Sequence, residues 1–154
     1  MEADFVRGLA EIATEQDILL MVDEVQTGNG RTGELYAYMN YGIEPDIVST
    51  AKGLGGGLPL GAALLGDKVQ DVLGFGDHGS TFGGNPIACA GAVSVIKRMN
   101  SQFLASVKEK SEKVFKMLDH SAGIEGVSGM GLMIGIKTVK PASDVVKRCM
   151  EKGV

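Results

Sequence analysis

The chain has 154 residues, 44% of them hydrophobic, and a formal charge of −4, the balance of one ordinary soluble domain with enough apolar material for a core. Its 15 lysines and arginines, against 19 acids, form no aromatic-laced basic patch, which argues against nucleic acid as a partner and for a small molecule. The longest strongly apolar run, Ile18 to Val22, is far too short for a signal segment or a membrane span, so the expectation is a cytoplasmic protein without a membrane partner.

In chain order, residues 3 to 16 place Phe5, Leu9 and Ile12 on one helical face, and Ile18 to Val22 reads as a buried strand. Asp46 to Thr50 and Ala62 to Leu65 are further short strands bounded by Gly or Pro. Asn85 and Pro86 predict an N-cap and first helical residue, opening a small-residue helix to about Met99. From Ser101 to Leu118 the apolar Leu104, Val107, Val114 and Leu118 share a face, while Lys108, Glu109, Lys110, Glu112, Lys113 and Lys116 form a solvated one. Gly131 to Lys137 reads as a strand, and Ser143 to Lys152 as a helix ending at Gly153. Cys89 and Cys149 have no Cys or His neighbour at metal spacing and read as reduced, largely buried thiols; His78 and His120 form no ligand pair, and no metal is expected. The pattern is α/β and changes character near residue 100.

Glycine is the anomaly. There are 23 in the chain, about twice the ordinary share of roughly 7%, and 16 of them lie from Gly28 to Gly91. Such a segment suits main chain that approaches a ligand closely, although a loop-rich scaffold without a ligand is the alternative. Gly28 to Gly33 matches G-x-G-x-x-G after a strand, but only about eight helical residues follow before Gly42, and Asp46 starts the next strand instead of ending it, so a nicotinamide site is not expected. Leu19 to Glu24 has the look of an apolar strand ending in a magnesium-holding Asp-Glu pair, yet no phosphate-cradling G-x-x-x-x-G-K-[ST] exists in the chain. Ser49 to Lys52 matches S-x-x-K without the partner motifs of serine acyl-transferases. What remains is an acid at a strand end, Asp23, a lysine just past the next strand, Lys52, and a glycine-rich loop after it. Those parts suit pyridoxal phosphate: a carboxylate keeps the pyridine nitrogen protonated, and a lysine amine condenses with the aldehyde.

VDEVQTG at Val22 to Gly28, GRTG at Gly30 to Gly33, PDIVSTAKGLGGGLPLGA at Pro45 to Ala62 and HGSTFGGNP at His78 to Pro86 together resemble the class III aminotransferases, most of all the branch acting on acetylornithine. The resemblance implies the fold-type I pyridoxal-phosphate-dependent transferase architecture, an α/β fold, with residues 1–100 part of the cofactor-binding large domain and 101–154 the start of the C-terminal small domain. It implies that Asp23 pairs with the pyridine nitrogen, Val25 packs on the ring, Gln26 bonds the ring hydroxyl and Lys52 carries the cofactor, with Glu24 beside them. Thr81 would bind cofactor phosphate across a homodimer interface and Ser80 would lie near the substrate. The implied reaction moves the δ-amino group of N-acetylornithine to 2-oxoglutarate, in arginine biosynthesis; the alternatives are an ornithine- or succinylornithine-type enzyme, or an inactive truncated fragment.

Two departures stand out. The family often has Val-Arg-Gly-x-Gly-Leu where this chain has Val127 to Leu132 with Ser128. Family members also run to more than twice this length, and both ends read as cut. Strand Ile18 to Val22 is then expected to present an apolar edge that invites self-association.

Overall fold

A computed structural model describes residues 1–154. Helix α1, Ala3–Glu15, leads into strand β1, Met21–Asp23, which pairs in parallel with β2, Ile47–Thr50; β2 then pairs antiparallel with β3, Ala62–Leu65. The sheet runs β1-β2-β3. Helices α2, Pro86–Arg98, and α3, Ser101–Leu118, precede a separate antiparallel hairpin of β4, Ile124–Met130, and β5, Met133–Thr138, and helix α4, Ala142–Glu151, follows it. Short 3-10 turns cover Ala37–Tyr41 and Lys52–Gly55.

The helices start where their capping residues dictate. Asn85 Oδ1 accepts from Ala88 N at 2.9 Å with Pro86 in the first helical position, where its missing N–H costs no bond. Asn100 does the same for α3 through Phe103 N, also at 2.9 Å. The alternating charges of α3 are solvated as expected, with Lys113 and Glu109 paired at 2.6 Å.

Four expectations need correction. The strand read over Ile18 to Val22 is only Met21–Asp23 and is not buried: Ile18 and Met21 are 55% and 66% exposed. Its beginning is diverted, because Ile18 N bonds back to Ala13 O of α1 and Leu20 N to the Asp46 carboxylate, so ladder pairing starts only at Met21 with Ile47. With β2 its only partner, β1 is an edge strand as expected, with Met21 exposed and Val22 half-buried. The single strand read over Gly131 to Lys137 is the second half of a hairpin; β4 was missed because Gly126 and Gly129 interrupt its alternation and a bulge separates Ile124 from Gly126. The face Phe5, Leu9 and Ile12 stays about half exposed, and α1 packs instead through Val6 and Ala13. Cys89 and Cys149 are free and half-buried rather than largely buried.

The hairpin is fastened to the sheet-bearing part at one point. Leu132 N donates to Arg31 O at 2.9 Å, and Ser111 Oγ of α3 donates to Gly131 O at 2.7 Å. Gly131 has φ +58, and a Cβ there would meet Arg31 O and Thr32 Cα at 2.5 Å. Gly131→Ala is therefore expected to lower stability by about 1–3 kcal/mol; a urea unfolding midpoint unchanged from the parent would contradict this joint.

Candidate active site

Parallel neighbours bring their carboxyl ends to one edge of a sheet, the edge where open α/β sheets receive ligands. Strand β1 ends on Asp23, in register with Ser49 of β2, and β2 ends on Thr50. Asp23 and Lys52 thus emerge at the same edge. Asp23 Oδ1 accepts from Val25 N at 2.9 Å and from Ser49 Oγ at 2.8 Å, while Oδ2 receives no protein donor. The Val25 amide and the Ser49 hydroxyl, with the Lys52 ammonium adding to them, hold the Asp23 carboxyl below the ordinary aspartate range.

Lys52 has left-handed backbone, φ +49, and its ammonium donates to Gln26 Oε1. Val25, Gln26 and Lys52 line one cleft of about 510 Å³, closed on the far side by Leu132 to Ile134 at the start of β5. Asp23 opens onto the adjoining apolar cleft beside Met21 and Tyr38.

Glu24 is different. Its side chain is fully buried, with Oε2 accepting from Thr27 Oγ1 at 2.5 Å and Oε1 from Tyr38 N at 2.9 Å. Its backbone is equally engaged, N donating to Ser49 O and O accepting from Gly28 N. The carboxylate is spent inside the loop, and Glu24 does not line the cleft that holds Lys52. Burial raises the Tyr38 phenol above its usual range, with the neighbouring Tyr36 ring, stacked at 5.9 Å, and Glu24 adding to the effect.

The structure brings Asp23, Val25, Gln26 and Lys52 together, and leaves Ser80 and Thr81 out of that group. Both lie in the exposed stretch 71–84, in a turn closed by Gly83 N to Ser80 O. Sequence reasoning missed Ser49 as a partner of Asp23; it had entered only as part of the S-x-x-K lookalike, although a parallel register puts it there. It also missed Asn29, whose amide reaches Thr50 Oγ1 and Ala51 O. The glycines of the G-x-G-x-x-G match have a packing reason: a Cβ on Gly30 or Gly33 would press on Phe103 or Lys108 of α3.

The donor set fits pyridoxal phosphate: an ionised carboxylate with one free oxygen for a protonated ring nitrogen, an apolar Val25, an amide at Gln26 and an amine at Lys52.

Two substitutions probe this geometry. Ser49→Ala is expected to raise the Asp23 titration, read from its carboxyl carbon by NMR; an unmoved midpoint would exclude the hydroxyl as a cause. Because the folded value is depressed, Asp23 contributes stability above the unfolded aspartate value that is lost as pH falls through the folded one, and Ser49→Ala narrows that window from below. Glu24→Ala leaves the Tyr38 amide and Thr27 hydroxyl without their acceptor, an expected loss of about 1–3 kcal/mol in chemical unfolding; parental stability would show that the buried carboxylate is not needed.

Comparison with known proteins follows the same lines. The aminotransferase class-III family model matches residues 1–154. Acetylornithine aminotransferase of Haemophilus ducreyi is 49% identical over 151 residues, covering 97% of this chain and 38% of that protein; that of Oceanobacillus iheyensis is 44% identical, covering 99% and 40%. Among solved structures, N-acetylornithine aminotransferase from Stenotrophomonas maltophilia superposes with a TM-score of 0.84 at 33% identity, over 99% of this chain and 42% of that one. Plasmodium falciparum ornithine delta-aminotransferase gives a TM-score of 0.84 at 34% identity with the same coverage. The chain spans about two fifths of the length of these relatives. With the fold, the sheet-edge Asp and Lys and a family match over every residue, this chain belongs to the class III aminotransferases.

Proposed function

We propose that the protein carrying this chain transfers the δ-amino group of N-acetylornithine to 2-oxoglutarate, a step of arginine biosynthesis, with pyridoxal phosphate as cofactor. The observation that carries the reading is the convergence of Asp23 and Lys52 on one sheet edge, with Val25 and Gln26 between them. When bound, the cofactor supplies a protonated ring that accepts electron density from the carbon losing its proton. Asp23 would hold the ring nitrogen protonated through its free Oδ2, Val25 would pack against the ring and Gln26 would bond the ring hydroxyl. Lys52 Nζ would be the attachment point and, when free, the base placed to take the proton from the amine-bearing carbon and return one later. Glu24 supports the loop from within.

Thr81 and Ser80 are assigned to cofactor phosphate and substrate in the partner subunit of a cytoplasmic homodimer. Their exposure, and that of Val72, Leu73, Phe75 and Phe82 around them, supports an interface role for this stretch. Residues 1–100 are taken as large domain and 101–154 as the start of the small domain, a division supported by the two separate sheets. Ornithine as amino donor is the second reading, favoured by the ornithine aminotransferases among the structural neighbours at 31–34% identity; the acetylornithine-named relatives at 40–49% outweigh them.

The test is to add pyridoxal phosphate, reduce with borohydride and map the added mass. The expected result is a phosphopyridoxyl group on Lys52, abolished by Lys52→Ala. Label scattered over surface lysines would sink the assignment.

A further inference from the structure

We infer that Asn29 is a positioning residue for Lys52, acting through the backbone of Ala51; this rests on the role proposed for Lys52. Asn29 follows the Val25–Gln26 segment and reaches across to the strand end that carries the lysine. Its Nδ2 donates to Ala51 O at 3.0 Å and to Thr50 Oγ1 at 3.3 Å. Thr50 is 2% exposed, so the bond anchors the turn to the buried end of β2. The same Ala51 carbonyl accepts from Leu54 N at 3.0 Å, the first bond of the 3-10 turn that Lys52 opens.

Lys52 needs that support. A non-glycine residue at φ +49 is disfavoured and persists only where its surroundings fix it. Asn29 is itself left-handed, φ +56, which asparagine tolerates better than most residues. The two turns meet closely: a Cβ on Gly53 would lie 3.5 Å from Asn29 Cβ. Asn29 also lines the cleft shared by Gln26 and Lys52. Its Oδ1 is buried without a partner. The amide therefore bonds through its nitrogen alone, to Ala51 and Thr50. Released from Asn29, the Ala51–Lys52 link would relax toward ordinary backbone and swing the amine away from Gln26.

Two variants separate positioning from packing. Asn29→Gly removes the amide but keeps left-handed freedom; Asn29→Asp keeps the shape but turns an acceptor toward the Ala51 carbonyl. In the protein carrying this chain, the initial rate of borohydride-trapped pyridoxal phosphate addition at Lys52, relative to exposed Lys97, is expected to fall at least about tenfold in both, since small misplacements of a reacting group cost factors of this order. In the cofactor-free protein, hydrogen exchange at the Leu54 amide is expected to quicken while the amides of α3 keep parental rates. A Lys52-to-Lys97 ratio at the parental value in either folded variant, whatever its melting temperature, leaves Asn29 a packing residue and overturns the inference. Should the parent take no label at Lys52, the functional reading fails instead. The clamp is then decided by Leu54 exchange alone, quickened if it exists and parental if it does not.

Discussion

A carboxylate sealed from water organises the loop that carries Asp23, Val25 and Gln26. Glu24 cannot be solvated, so its oxygens must be satisfied by the protein, and Thr27 Oγ1 and Tyr38 N do this from the two sides of the G-x-G-x-x-G loop. Its backbone meanwhile continues the pairing with Ser49 and closes the turn at Gly28. One residue thereby fixes where β1 ends, how the chain folds back, and hence where the preceding Asp23 and the following Val25 and Gln26 point. The adjacent pair Asp23 and Glu24 divides its labour by orientation: alternate strand faces send one acid to the ligand edge and the other inward.

Much of this was legible from residue types. Asn85-Pro86 can do little but start a helix, and the alternating charges of α3 can only be solvated. That Asp23 and Lys52 emerge near one another was legible too, because one ends a strand and the other lies just past the next. Glu24 was not, since a sequence shows two adjacent acids without showing which one turns inward. Asn29 and Ser49 were hidden for a related reason: each acts on a partner more than twenty positions away, and only the parallel register of β1 on β2 makes them neighbours. β4 escaped because glycines blur a period-two pattern.

The glycine excess has more than one cause. Gly30 and Gly33 make room for α3, and Gly131 lets the hairpin turn lie directly on the backbone of Arg31 and Thr32. These close approaches are between pieces of the protein itself. The lookalike of a dinucleotide motif is thus a packing device, and the far wall of the cleft, Leu132 to Ile134, is set by the contact that Gly131 permits.

The parallel pairing of β1 and β2 has a consequence for how such a site can diversify. The lateral step between the strands that carry Asp23 and Lys52 is a property of the backbone, about 4.8 Å in any sheet, and no exchange of side chains alters it. The relative placement of Asp23 and Lys52 is thereby insulated from drift in the surrounding loops. A lineage can remodel the exposed stretch 71–84 or the hairpin wall of the cleft while inheriting the spacing of Asp23 and Lys52 unchanged.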